Sequence, residues 1–412
     1  MNRILIVNQH SENKGDEAAM RAMIRSLDRE LGGATFDVII QSRDRPVNLP
    51  FENKIVVLHN LIMPLTDALS LGLYAICRIL GLRTHWLLSD DVKSIVSAYE
   101  DADIVISAPG GPYFGDNYWT HEPVHWFFVW LGKLHKKPLF LYSPSVGPFR
   151  KRLLKRIRCR LFLLFDKICV REAQSEKFLK ELIGDKREII LTADSSIQEE
   201  ITAYDRTDYF QDHPHLADKF LVAVTGMQYL FPAEKDPAMK RAQFTEAFVA
   251  CLEHIAVRRK THFIFLPQLY GQVHSDTEYH YLLAQRLPLG TTWEIIPANK
   301  DSDYHRRVFG MADFCLVSRY HPQIFATSNG VPGVFPFYEH KQLGYLKEMA
   351  MLDFSCDVRS MNGVHMCRLI DQVLDRRLEI SAMLRERIVS LRKRARLSTS
   401  VAMEIIRKTH GN

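Results

Sequence analysis

Short apolar runs alternate with helix-like segments along most of the chain. In the first half the runs are ILIVN (4–8), TFDVII (35–40), KIVVLH (54–59), DIVISA (103–108), PLFLYS (138–143), KICV (167–170) and EIIL (188–191). Most lack the in-out alternation of a strand with one wet face, so they read as strands covered on both sides, the signature of a parallel sheet sandwiched by helices. After Asp194 the pattern loosens through the polar ITAYDRTDYFQDHPHLADK, which reads as a linker. A second alternation follows: FLVAVT (220–225), HFIFLP (262–267), WEIIP (293–297), FCLVS (314–318) and GVFPF (333–337). The pattern predicts an α/β protein with two Rossmann-like domains, 1–205 and 206–376, and a cleft between the carboxyl ends of their strands. A basic helical segment, 377–412, could pack on either.

Composition narrows the class. The 412 residues carry 54 Lys and Arg against 48 Asp and Glu, with 47% apolar and 25% charged residues. These are ordinary globular values, and a net charge of +6 spread over such a length, with no recognised motif, argues against nucleic acid as a partner. Seven scattered cysteines contain no CxxC pair and fit no disulfide framework. The opening MNRILIVNQH lacks a signal-peptide pattern, so a cytoplasmic location is expected. The most apolar stretch, 61–88, is interrupted by Asp67, Arg78 and Arg83, and reads as a buried or interfacial helix rather than a span. A basic amphipathic stretch, 150–167, reads either as a core-facing helix with a solvated basic end or as a surface that attracts membrane or anionic substrate.

The chemistry-bearing motifs fall at strand ends. After the first run, Gly15 allows a tight turn and Asp16 or Glu17 suits a helix N-terminus; the spacing is not GxGxxG. Gly110 and Gly111 follow DIVISA, and Gly147 follows PLFLYS, positions where backbone amides can approach a ligand with no Cβ in the way. HEPVH (His121, Glu122, His125) has the form HExxH, but Pro123 belongs to a helix's first turn and no third ligand is identifiable, so no metal site is expected. KICVREAQS places Arg171 at a strand end. FCLVS leads into RYHPQIFATSNGVP, with Pro322 suited to the first turn of a helix and Arg319 and His321 at its N-terminus. A guanidinium offers a forked donor to phosphate or carboxylate, and an imidazole can bind and shuttle protons. His340 and Lys341 follow the next strand.

Taken in order, GDEA after the first strand, the Gly-Gly pair, SVGP, VREAQS, the Asp of TADSS, FLPQ and SRYHPQIFATSNGVP with its trailing YEHK resemble the polysaccharide pyruvyl transferase family. The resemblance runs from about residue 4 to 350, and the SRYH segment with its downstream lysine is its specific part. It implies a fold like that of the GT-B glycosyltransferases and transfer of pyruvate from phosphoenolpyruvate to a sugar as a cyclic ketal, on a polysaccharide or its lipid-linked precursor. No cofactor is implied; phosphoenolpyruvate is a co-substrate.

By the same resemblance, Arg319 and His321 are the catalytic pair at the phosphoenolpyruvate site, which places that donor on the second domain and the acceptor on the first. Asp16 and Asp194 are candidate bases. Arg171, Lys341, His340, Gln268, Gly110, Gly111 and Gly147 line the substrates. Departures are Pro112, where many members have a third glycine, and Ser195 after Asp194, where proline is common. A lipid-linked acceptor would bring the protein to the inner face of a membrane as a peripheral partner. The rival readings are a nucleotide-sugar glycosyltransferase of the same shape and a non-enzymatic carbohydrate- or membrane-associated protein.

Overall fold

The computed structural model describes residues 2–10, 13–40, 55–59, 64–82, 84, 86, 88–116, 121–270, 275–409 and 411. The chain divides into two compact units, Met1–Glu12, Asp16–Glu199 and Arg392–Asn412 in the first, Asn13–Gly15 and Glu200–Leu391 in the second.

In the first unit the strands are β1 (Asn2–Gln9), β2 (Ala34–Ile40), β3 (Ile55–His59), β4 (Ile104–Ser107), β5 (Pro112–Phe114), β6 (Leu139–Leu141), β7 (Ser145–Val146), β8 (Lys167–Val170) and β9 (Ile189–Leu191). Seven form a parallel sheet in the order β3-β2-β1-β4-β6-β8-β9, and β5 pairs with β7 apart from it. This is the Rossmann order, with its switch point between β1 and β4. The helices are α1 (Lys14–Leu31), α2 (Leu65–Ile79), α3 (Asp90–Asp101), α4 (Glu122–Leu134), α5 (Arg152–Phe162) and α6 (Ala173–Ile183). Inward residues of α2 to α6 build one core against the sheet, and α1 contributes Met20, Met23 and Leu27 to the core on the other face.

The second unit repeats the scheme. Its strands β10 (Phe220–Thr225), β11 (Thr261–Phe265), β12 (Thr292–Ile295), β13 (Phe314–Val317), β14 (Gly333–Phe337) and β15 (Ser355–Asp357) form a parallel sheet ordered β12-β11-β10-β13-β14-β15. The switch point lies between β10 and β13. Its helices are α7 (Arg206–Asp212), α8 (Pro237–Arg258), α9 (Asp276–Ala284), α10 (Ser302–Met311), α11 (Tyr320–Thr327), α12 (His340–Glu348) and α13 (Gly363–Asp375). The two-domain α/β reading therefore holds, with two differences. The polar stretch after residue 200 contains α7, because the Asp205 side chain accepts from the Thr207 N–H and caps its start. The short strands β5, β7 and β15 carry too few apolar residues to stand out in the sequence.

The last helix, α14 (Arg377–Thr409), belongs to the second unit up to Leu391 and to the first from Arg392. Ala402, Met403, Ile405 and Ile406 complete the core on the α1 face of the first sheet. Ser398 and Thr399 hydrogen-bond Ser143 and Tyr142 at the end of β6. Among the described residues no helix is long and apolar enough to cross a membrane. Residues 61–63, 83, 85 and 87 of the most apolar stretch lie outside the described residues; Leu65–Ile79 of it form α2.

Candidate active site

In the second unit the strand ends at the switch point converge on one charged group. Arg319 is the residue before α11, extended at φ −97°, and its Nη2 donates to Asp276 Oδ1 at 2.5 Å. The other oxygen of Asp276 accepts from the backbone N–H groups of Gln268 and Leu269 at 3.0 and 3.1 Å. One buried carboxylate thus ties the loop after β11 to the guanidinium after β13. Burial would lower the Arg319 pKa, but the charge of Asp276 and then Tyr338 outweigh it and hold the guanidinium above its ordinary value. Its Nε is buried with no hydrogen-bond partner among the described residues, a donor left for something else.

His321 follows as the second residue of α11 and is buried, its ring edge-on to Tyr320. Asn13–Gly15, which cluster with this unit, pass beside it. Asn13 bridges Leu269, the Lys14 N–H donates to the Gln268 carbonyl at 3.1 Å, and Gly15 packs on the imidazole itself. A Cβ on Gly15 would lie 1.8 Å from His321 Nδ1, so the first GDEA residue must be glycine here.

Lys341 reaches Glu339 at 2.8 Å and lies over the Tyr320 ring at 5.6 Å, while His340 opens α12. Gln342 fixes this corner, its Oε1 accepting from the Tyr338 and Glu339 N–H groups and its Nε2 donating to the Ser318 carbonyl. The Gln268 side chain donates to His305 Nδ1 at 3.2 Å, which leaves His305 Nε2 to donate to the Tyr270 hydroxyl at 3.1 Å. Burial, then the charge of Lys14, pushes the His305 pKa down to about 3; burial pushes that of His280 down to about 4. Both imidazoles are therefore neutral near pH 7, His280 near Asp276 and Arg319 and His305 near Lys14.

The first unit has its own cluster at its switch point. Asn8, next to last in β1, lies in the left-handed region (φ 65°) and donates to Ser107 at the end of β4. Gly110 (φ +134°) then lets Asp16 and Tyr113 converge: a Cβ there would lie 2.7 Å from Asp16 Oδ1 and 2.6 Å from the Tyr113 hydroxyl. Burial, then the Asp16 charge, holds the Tyr113 phenol well above its ordinary pKa. Gly111 lies against the ring of the same tyrosine, and His10 stacks on its face at 4.5 Å. Gly147 (φ +82°) packs on Phe178.

Arg171 and Asp194, read from the sequence as an anion ligand and a base, are each other's partners. Arg171 Nη1 donates to Asp194 Oδ2 at 2.7 Å with both side chains 1% exposed, and Arg171 Nε donates to Ser145 Oγ. The remaining oxygen of Asp194 accepts from the N–H and hydroxyl of Ser196, capping the turn that follows β9. HEPVH opens α4, and Glu122 accepts from Arg158 and from Trp126 Nε1. Residues 117–119, the end of the PGGPYFGDNYW segment that carries the glycine pair, lie outside the described residues.

The structure thus gathers Arg319, His321, Lys341, His340 and Gln268 in the second unit and Asp16, Gly110, Gly111, Gly147, Arg171 and Asp194 in the first. Sequence reading did not single out Asp276, His280, His305 or Tyr113. Asp276 sits in an ordinary-looking polar run, and its role arises only because β10 pairs with both β11 and β13.

Two parallel sheets of Rossmann order, each with polar residues at its switch point, define a GT-B-like protein. Two solved structures have this fold at 12–13% identity: Anabaena Alr3699/HepE in complex with UDP-glucose (TM-score 0.60, covering all of both chains) and a putative UDP-N-acetylglucosamine 2-epimerase from Listeria monocytogenes (TM-score 0.58, 93% of this chain and 91% of that one). The family model for polysaccharide pyruvyl transferase matches residues 13–339, and the chain belongs to that family. It is also similar to the amylovoran biosynthesis protein AmsJ of Erwinia amylovora, at 22% identity over 92% of this chain and 93% of that protein.

Proposed function

We propose that the protein transfers pyruvate from phosphoenolpyruvate to a sugar of an exopolysaccharide or of its lipid-linked precursor, forming a cyclic ketal. Family membership and the likeness to a protein of amylovoran biosynthesis support a transferase in polysaccharide assembly. The observation that carries the donor is the half-buried Arg319 at the N-terminus of α11, oriented by Asp276 and retaining an Nε–H with no hydrogen-bond partner among the described residues, with His321 two residues further on and Lys341 close to Tyr320. A small dianion with phosphate and carboxylate on one carbon suits a rigid guanidinium, free helix amides and a second cation.

His321 donates a proton to the methylene carbon, and positive charge develops at C2. A sugar hydroxyl oxygen bonds to C2 and gives up its proton to a base, for which Asp16 is the proposed group; Asp194 is already held by Arg171 and Ser196. The C2–O bond to phosphate then breaks, its electron pair leaving with inorganic phosphate beside Arg319 and Lys341. A neighbouring hydroxyl adds to C2, loses its proton and closes the ring. The sum is phosphoenolpyruvate plus diol giving ketal plus phosphate, so neither a cofactor nor a metal is required.

The test incubates the protein with phosphoenolpyruvate and a panel of sugar and lipid-linked acceptors, following phosphate and the mass of the acceptor. Acceptor-dependent phosphate release with a ketal mass gain is expected. Glycosyl transfer from a nucleotide sugar with no phosphate from phosphoenolpyruvate would replace this reading by the glycosyltransferase one.

A further inference from the structure

Helix α2 turns its apolar side outward. Leu71, Tyr74 and Ala75 face the core, whereas Leu65, Leu69, Leu73, Ile76, Ile79 and the following Leu80 are 52–75% exposed. At 100° per residue those six positions occupy one arc about 120° wide, the reverse of what a helix on a globular surface normally shows. The stripe continues into exposed Leu82 and Trp86. α2 packs on α3 and α4 in the same helical layer as α5. There Leu153 and Ile157 are exposed, one turn apart, among exposed Arg152, Lys155, Arg156 and Arg160. Arg158 alone of the α5 arginines turns inward, to Asp116 and Glu122. Arg152, Lys155, Arg156 and Arg160 thus stay outside, and no acidic side chain among the described residues pairs with them.

We propose that this layer docks on an anionic lipid bilayer, α2 lying in the interface with its leucine and isoleucine stripe at the acyl boundary and the α5 cations on lipid phosphates. Charge complementarity selects the occupant: a second protein surface would cover the apolar stripe equally well, but the basic α5 with its own apolar pair matches a negatively charged interface. At 15 residues α2 is about 22 Å long, shorter than the roughly 30 Å hydrocarbon core, so it lies on the membrane and does not span it. The inference is independent of the pyruvyl-transfer reading, since its readout is binding.

Co-sedimentation of the full chain with vesicles tests it. Vesicles of phosphatidylcholine with phosphatidylglycerol should carry the protein down, and pure phosphatidylcholine vesicles should do so much less. L69E/I76E on α2 and, separately, K155E/R156E on α5 should each lower binding by about tenfold or more, with thermal unfolding unchanged because all four positions are exposed. Failure of the wild type to bind anionic vesicles would overturn the proposal, as would wild-type binding by both variants. Size-exclusion chromatography showing a dimer that L69E/I76E disrupts would assign the stripe to a second copy instead.

Discussion

Asp276 holds Arg319: one carboxylate oxygen accepts from the guanidinium at 2.5 Å while the other accepts from two backbone N–H groups of the preceding loop. Asp276 is a positioning residue, since it acts on the anion only through the arginine. D276N keeps the shape and removes the charge. It should raise KM for phosphoenolpyruvate about tenfold or more and lower kcat less, whereas R319K, which loses the planar fork, should both raise KM and lower kcat. Unchanged steady-state kinetics in D276N would remove Asp276 from the site.

Gly15 shows the same dependence on tight packing. Alanine there would put a methyl group within 1.8 Å of His321 Nδ1, and the contact is ring atoms rather than a flexible tip. G15A should therefore cost about 100-fold or more in kcat/KM, comparable to H321A, with little change in melting temperature. Full activity in G15A would mean that His321 can move without consequence.

The two neutral imidazoles make stability depend on pH. His305 and His280 titrate at about 3 and about 4 in the fold, against 6.5 ordinarily. Between those values the unfolded chain binds protons that the folded chain refuses, so stability is complete above about pH 6.5 and falls as the pH drops below it. Urea unfolding should show a loss of several kcal/mol, order of magnitude only, between about pH 7 and about pH 4.5. H305Q should flatten this slope; an identical slope would remove His305 as its source.

Glu122 and Arg158 form a buried pair, with contacts of 2.6–3.1 Å, to which Trp126 adds a hydrogen bond. E122A leaves the guanidinium buried with only Asp116 as a hydrogen-bond partner among the described residues and should destabilise the protein by about 3–5 kcal/mol, read by denaturant unfolding. Adding zinc should not alter the wild-type melting temperature, because His125 is buried with its ring nitrogens against His10 and the Tyr113 carbonyl, and no group of three metal-ligating side chains is present among the described residues. A clear zinc-dependent rise would reopen the metal reading of that motif.

The end of α14 fills the α1 face of the first sheet with Ala402, Met403, Ile405 and Ile406. I406A should cost about 2–4 kcal/mol by cavity formation, although the residue lies near the chain end. A loss below about 0.5 kcal/mol would show that the segment frays in solution.

Much of this was legible in the sequence, for reasons that differ by residue. FLVAVT and GVFPF gave their strands to the residue, because a strand buried on both faces is a local apolar run. Arg319 and His321 could be placed because Pro322 marks a helix start directly after such a run. Asp276 could not, because its role is conferred by strands distant along the chain. The basic stretch 150–167 was read only in part: composition gave its charge, but the inward turn of Arg158 depends on where α4 puts Glu122.

The sequence by itself determined the longer strands of the two sheets, their parallel double-sided burial, the repetition into two units and the family, since each is written in local patterns or in motif order. The tertiary structure alone decided that Arg171 and Asp194 neutralise each other, that Asp276 holds Arg319, that α14 finishes the core of the first unit, and that the apolar side of α2 faces outward. These depend on which side chains meet across the sheet edges and helical layers, and neither charge nor hydropathy read along the chain specifies a meeting in space.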